Sequence, residues 1–162
     1  MAERKTFTFD RVNVMLMNVF GILLPLLALF TNALDVFDYE AARGQVLFAL
    51  PFFVASLWLI WLSHRDLGEN WSVTLELKHG HALVTEGIYK YIRHPMYTSI
   101  WLYSAGQALA IPNYAGGLGV LLVWAVLYFV RIGREERMLV EKFGGEYSAY
   151  MRRTKRLVPF VV

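Results

Sequence analysis

Hydrophobic and polar positions along this chain fall into long blocks. Residues 14–34 carry no charge over 21 positions, residues 45–62 none over 18, and residues 96–111 none over 16. A fourth apolar run, 114–132, is uncharged up to Arg131. About 20 apolar residues carry a helix across the roughly 30 Å hydrocarbon core, so the blocks predict membrane-spanning helices. The first run exceeds the roughly 7–15 residues of a signal-peptide core and no A-x-A site closes it, so it is expected to be retained, with Pro25 as its candidate kink. The third run covers only about 24 Å at 1.5 Å per residue. It carries Thr98, Ser99, Ser104, Gly106 and Gln107, which suit close contact with neighbouring helices. Pro95 fits the first helical position, where its missing N–H costs nothing, and Pro112-Asn113 makes a tight turn. Residues 96–132 therefore predict a membrane hairpin.

The polar blocks lie between these runs. Residues 1–13 are basic, and residues 35–44 form a short loop with Asp35, Asp38 and Glu40 against Arg43. Residues 63–95 hold eight charged side chains and cannot span; within them, 71–77 alternates in part and reads as extended. From 133 the chain is charged again, with Leu139, Phe143, Tyr147 and Tyr150 recurring on one face of an amphipathic helix. Gly144-Gly145 breaks or kinks that helix. The basic cluster Arg152, Arg153, Lys155 and Arg156 suits headgroup contact better than a substrate role. The expected molecule is an all-α integral membrane protein of one domain with about four transmembrane helices. Its parts are a two-helix segment (1–62), a cytoplasmic loop (63–95), a C-terminal helical hairpin (96–132) and a cytoplasmic tail (133–162).

Composition agrees with the blocks. The 162 residues are 57% apolar and only 18% charged, against roughly 25% charged in soluble domains. The absence of cysteine excludes disulfide and thiolate chemistry. The four histidines (64, 79, 81, 94) lack metal-ligand spacing, so no metal is expected, and His64, His79 and His81 read as loop histidines. No basic helix face interleaved with aromatics suggests nucleic acid. The net charge of +3 matters less than its distribution. Three of the 16 Lys and Arg residues lie in 1–13, four in 63–95 and eight from 131 on, leaving Arg43 alone. With four spans the positive-inside rule puts both termini in the cytoplasm of a plasma or inner membrane.

Two polar constellations stand out. Arg93 and His94 immediately precede the Pro95 helix start, with Tyr97 one turn in. A helix N-terminus attracts anions, so this group can hold a carboxylate or phosphate; interfacial anchoring explains the same residue types equally well. At 131–136, Arg131 and Glu135 lie four apart on one helix face, beside Glu136. Acidic side chains there can bind a cationic ligand, and a solvated salt-bridged face is the plainer account. A hairpin would return both constellations to one membrane face. S-adenosylmethionine, with its carboxylate, ammonium and sulfonium, has the matching charge pattern.

The run Leu83-Val84-Thr85-Glu86-Gly87-Ile88-Tyr89, then Arg93-His94-Pro95-Met96-Tyr97, resembles the isoprenylcysteine carboxyl methyltransferases and their microbial relatives. So does Arg131…Glu135-Glu136…Leu139…Phe143-Gly144…Glu146-Tyr147…Tyr150, and the two motifs together cover about residues 81–160. Phospholipid N-methyltransferases look like a related branch. The resemblance implies an integral membrane methyltransferase that uses S-adenosylmethionine in a cytoplasmic cofactor pocket over the hairpin. It implies that His94 and Tyr97, with Arg93, hold the cofactor's amino-acid end. Val84, Gly87 and Tyr89 would line the adenosine side, Glu136 would contact the cofactor, and Arg131 and Glu135 would face the reacting end. Residues 1–80 match no motif of the family.

Such a reaction is an in-line displacement for which the protein supplies geometry and desolvation. A carboxylate acceptor needs no general base; an amine would have to be unprotonated, with Glu135 assisting. The capacity of Arg131 to grip a carboxylate bidentately favours O-methylation, and the resemblance implies a lipophilic, prenylated acceptor at the membrane. The alternatives are a phospholipid acceptor with N-methylation of phosphatidylethanolamine, a membrane oxidoreductase of sterol-reductase type, and a non-catalytic membrane protein.

Overall fold

The computed structural model describes residues 12–68 and 82–159. The expected extended piece at 71–77, with His79 and His81, lies outside the described residues. The regular elements are helical: α1 (Val12–Phe30), α2 (Ala49–Leu67), α3 (Pro95–Ala110), α4 (Gly119–Phe143) and α5 (Gly145–Arg153). Among the described residues, three helical stretches are long and apolar enough to cross a membrane: Val12–Phe30, Gln45–Leu67 and Tyr114–Phe143. The last two gain their length from a 3-10 turn at Gln45–Phe48 and a π turn at Tyr114–Leu118. Helix α3, the third apolar run, has 16 residues, about 24 Å, short of the hydrocarbon core.

The apolar side chains point outward as well as inward. On α4, Val120, Trp124, Leu127, Tyr128 and Ile132 are buried while Leu122, Val126 and Phe129 are exposed. The 3.6-residue period is present, but both faces are greasy, as suits a helix whose outer solvent is lipid. Helix α2 exposes Leu57, Trp58 and Trp61, the two indoles 5.3 Å apart.

The chain folds into two compact units. One comprises residues up to Ser56 with Ile100–Leu127; the other runs from Leu57 to Ser99 and from Tyr128 onward. In the first unit, α1 has no simple proline kink. A π turn at Val19–Leu23 precedes Pro25, and Leu24 N–H bonds Val19 O. Pro25 has no N–H to offer Phe20 O or Gly21 O one turn back. Both carbonyls are taken by α3: Gln107 Nε2 donates to Phe20 O at 3.0 Å and Tyr103 OH to Gly21 O at 2.9 Å. Gln107 Nε2 also donates to Gly116 O at 2.8 Å, in the second π turn. The polar residues of the third run thus satisfy backbone that lipid could not.

The expected turn at Pro112-Asn113 forms around a buried amide. Asn113 Oδ1 accepts from Ala115 N–H at 3.0 Å and Gly116 N–H at 2.7 Å, and Nδ2 donates to Leu34 O at 2.8 Å and Asp38 Oδ1 at 2.7 Å. At Gly116 a Cβ would stand 2.7 Å from Ala28 Cβ, so only glycine lets this turn lie against α1.

In the second unit the charged tail does not begin as a separate segment at 133. Helix α4 continues unbroken to Phe143, because residues 133–143 contain no proline and keep good helix formers. The break falls at Gly144, with φ +54°, and α5 follows with Tyr147 and Tyr150 buried on one face.

Candidate functional site

The second unit brings the two polar constellations together. Residues 92–94 are bound to the chain beyond α5. Ile92 and Lys155 form a parallel bridge, Arg93 N–H donates to Lys155 O at 2.8 Å, and His94 N–H donates to Arg156 O at 3.0 Å. Thr98 Oγ1 donates to Leu157 O at 2.9 Å. The N–H groups just ahead of α3 are therefore bound to tail carbonyls.

The Arg93 side chain is only 7% exposed, and its guanidinium is engaged within the chain. Nη1 donates to Met151 O at 3.2 Å and to Thr154 O, and Nη2 to Glu136 Oε1 at 2.7 Å. The same carboxylate receives Arg156: Nε at 3.0 Å from Oε1 and Nη2 at 2.5 Å from Oε2. Two guanidiniums thus flank Glu136, whose side chain is 8% exposed. Of the basic cluster near the C-terminus, Arg156 is a partner of the site rather than only a headgroup contact. Its role was invisible along the sequence because Glu136 and Arg156 lie 20 positions apart across the Gly144 turn.

Glu135 is placed differently. It is 22% exposed and accepts the Tyr97 hydroxyl, with His94 Nδ1 3.7 Å from Oε1. The His94 ring stacks on Tyr97 with centroids 5.4 Å apart at 13°, and Tyr128 meets Tyr97 edge-on at 5.9 Å. The Arg131 guanidinium, one turn from Glu135, also acts on the Tyr97 hydroxyl. Tyr97 therefore links the expected pair of Arg131 and Glu135. His94 Nε2 lies 3.5 Å from Glu136 Oε1 and makes no hydrogen bond among the described residues.

The expected adenosine-side residues are held by other contacts. Tyr89 is buried in a 3-10 turn, Gly87–Lys90, and its carbonyl accepts the Tyr150 hydroxyl at 2.5 Å. Gly87 takes φ +59° against the Asp66 side chain. Val84 is half-buried in the irregular segment before it. Burial pushes the phenols of Tyr89, Tyr147 and Tyr150 above their ordinary value, so each is a neutral donor. The Tyr147 hydroxyl is buried with no hydrogen-bond partner among the described residues. Spacing alone had marked Tyr147 only as part of an apolar face.

This arrangement offers two chemistries side by side: an accessible carboxylate wrapped in aromatic rings, and an adjacent guanidinium. The first suits a cation and the second an oxyanion. The buried orphan atoms His94 Nε2 and Tyr147 OH add polar positions that a bound molecule can satisfy.

Comparison with known proteins gives a consistent result. The model of the isoprenylcysteine carboxyl methyltransferase (ICMT) family matches residues 48–141. The protein-S-isoprenylcysteine O-methyltransferase of Schizosaccharomyces pombe is 30% identical over 115 residues, 70% of this chain and 49% of that relative. The Homo sapiens protein of the same name is 34% identical over 93 residues, 57% of this chain and 32% of the relative. A solved structure of the eukaryotic intramembrane Ras methyltransferase ICMT superposes with a TM-score of 0.64 at 23% identity, covering 96% of this chain and 52% of that one. The chain spans about half the length, or less, of the curated relatives it matches.

Proposed function

The chain belongs to the isoprenylcysteine carboxyl methyltransferase family, and from that membership we propose that it transfers a methyl group from S-adenosylmethionine to the carboxylate of a lipophilic, prenylcysteine-like acceptor. In this reading α3 is a fourth span, the hairpin of α3 and α4 returns the site to the cytoplasmic face, and both termini are cytoplasmic. The observation that carries the reading is the division of labour between adjacent glutamates of α4, beyond its apolar part. Glu136 is neutralised by Arg93 and Arg156, whereas Glu135 remains partly open beside Tyr97, His94 and Arg131.

The donor set fits the cofactor. Glu135 and the ring of Tyr97 suit its sulfonium, and the orphan atoms His94 Nε2 and Tyr147 OH suit the polar amino-acid end. Val84, Gly87 and Tyr89 line the adenosine side. Arg93 and Glu136 hold this wall to the tail and support the cofactor through His94. When bound, the cofactor supplies a methyl carbon already activated by its sulfonium.

The chain's own residues supply approach and exclusion of water. Arg131 grips the acceptor carboxylate as a planar fork and fixes the direction of its oxygen lone pair. Glu135, joined to Arg131 through Tyr97, holds that fork in place. No proton has to be moved, because a carboxylate is already the nucleophile. The aromatic cluster of Tyr97 and Tyr128 keeps the reacting oxygen poorly hydrated, which raises its nucleophilicity.

The test is radiolabelled methyl transfer by the purified protein, with a prenylcysteine analogue and phosphatidylethanolamine offered in parallel. The expected product is a base-labile methyl ester on the prenylcysteine. Label on phosphatidylethanolamine would make the protein an N-methyltransferase. Failure to bind S-adenosylhomocysteine at all would overturn the methyltransferase reading.

A further inference from the structure

The last turn of α2 carries an acid where a helix least favours one. Asp66 lies at the C-terminal end of Ala49–Leu67, where the helix dipole is negative and opposes a carboxylate. Arg65 offsets part of that penalty, with Nε 2.7 Å from Asp66 Oδ1. The other oxygen is turned away from its own helix: Asp66 Oδ2 accepts the Ile88 N–H at 2.7 Å, across 22 positions of sequence. The Arg65 side chain is half exposed while that of Asp66 is 11% exposed, so the carboxylate is packed under the turn it holds.

The turn is shaped to receive it. Gly87 has φ +59°, and a Cβ at that position would stand 2.1 Å from Asp66 Oδ2 and 2.5 Å from its Cγ. A side chain at 87 would collide with the carboxylate, and the left-handed backbone disfavours one there in any case. Downstream, Tyr89 N–H bonds Glu86 O at 3.1 Å and the Tyr89 carbonyl takes the Tyr150 hydroxyl. The stretch 86–90 is thus held near its centre, by Asp66 through the Ile88 N–H and by Tyr150 through the adjacent Tyr89 carbonyl.

We infer that Asp66 is a positioning residue for the cofactor pocket, setting the Gly87–Tyr89 turn through the Ile88 N–H without itself touching the reacting groups. The inference rests on the proposal that residues 84–89 line the adenosine side. Neither cofactor motif in the sequence contains Asp66. Its effect belongs to cofactor affinity, because the turn it sets is the one proposed to line the adenosine side.

The experiment measures S-adenosylhomocysteine affinity by calorimetry in detergent, together with kcat and KM for the methyl donor, on full-length variants whose thermal midpoints are recorded. Asp66→Ala removes the acceptor and should raise Kd and donor KM at least tenfold, with kcat at saturating donor within threefold of the parent. Asp66→Asn keeps an oxygen for the Ile88 N–H and should stay within about threefold in Kd. Arg65→Gln removes the ion pair alone and should do the same. A folded Asp66→Ala variant with parental affinity overturns the inference, as does a loss confined to kcat. If Asp66→Ala does not fold, Gly87→Ala decides: it displaces the turn with Asp66 intact and should weaken affinity at least tenfold, and parental affinity there overturns the inference. A parent protein that binds no S-adenosylhomocysteine sinks the cofactor reading instead.

Discussion

At the scale of single residues, two adjacent glutamates on one helix have been given different surroundings. Glu136 faces inward to two guanidiniums; Glu135, one position earlier, faces Tyr97 and His94. Truncating Glu136 would leave a buried arginine uncompensated, whereas Glu135 and Arg131 can be altered with the wall intact. Glu135→Gln should therefore lower kcat/KM for methyl transfer by about 1.5–3 kcal/mol of transition-state stabilisation, roughly 10–150-fold, while S-adenosylhomocysteine affinity falls by less than tenfold. Arg131→Lys should not rescue activity, because an ammonium lacks the planar fork. A merely superficial ion pair would behave otherwise, with near-parental turnover and stability changed by under about 1 kcal/mol. Parental turnover in the folded double variant would remove both residues from the reaction. The juxtaposition of Arg93, His94 and Tyr97 with 131–136 was legible in the sequence because each group sits at the end of an uncharged run. The parts played by Asp66 and Arg156 were not. Each meets its partner about 20 positions away along the chain, where periodicity carries no information about partners.

At the scale of elements, the apolar runs foretold where helices lie and Pro95 foretold where α3 starts. They did not foretell the two π turns or the continuation of α4 through 133. Charge density ended the apolar run at 132, but a helix ends only where its backbone must change, here at Gly144 with φ +54°. The π turns matter because they release carbonyls in a region without water. Gln107 meets two of them, Phe20 O and Gly116 O, while the Ser104 hydroxyl on the same helix is buried with no partner among the described residues. Gln107→Leu should therefore cost about 1–3 kcal/mol of stability, two unmet acceptors being partly offset by the apolar replacement. Ser104→Ala should be neutral within about 0.5 kcal/mol, since no hydrogen bond is lost. Unfolding in detergent followed by circular dichroism compares the two. Equal effects would mean that the polar stripe of α3 contributes by packing alone.

At the scale of the whole molecule, the proposed chemistry requires a particular orientation, because a water-soluble cofactor must reach the site from the cytoplasm. The charge distribution gives that orientation a physical cause. Basic residues resist transfer across the membrane, and Arg43 is the only one of the 16 between the first and second apolar runs or within the 111–114 turn. The chain contains no cysteine, so a single introduced thiol reports its own side unambiguously. Val36 and Tyr114 are both well exposed and flank turns that four spans would place outside. Lys155 is also exposed, and its tail contacts run through the backbone, which a cysteine retains. In intact cells an impermeant maleimide should label Val36→Cys and Tyr114→Cys, and should label Lys155→Cys only after permeabilisation. If α3 instead lay within one leaflet without crossing, Tyr114 would share the side of Lys155 and its label would appear only in opened cells. Labelling of Lys155→Cys from outside would place the site away from the cytoplasmic cofactor supply, and the methyl-transfer reading could not stand with it.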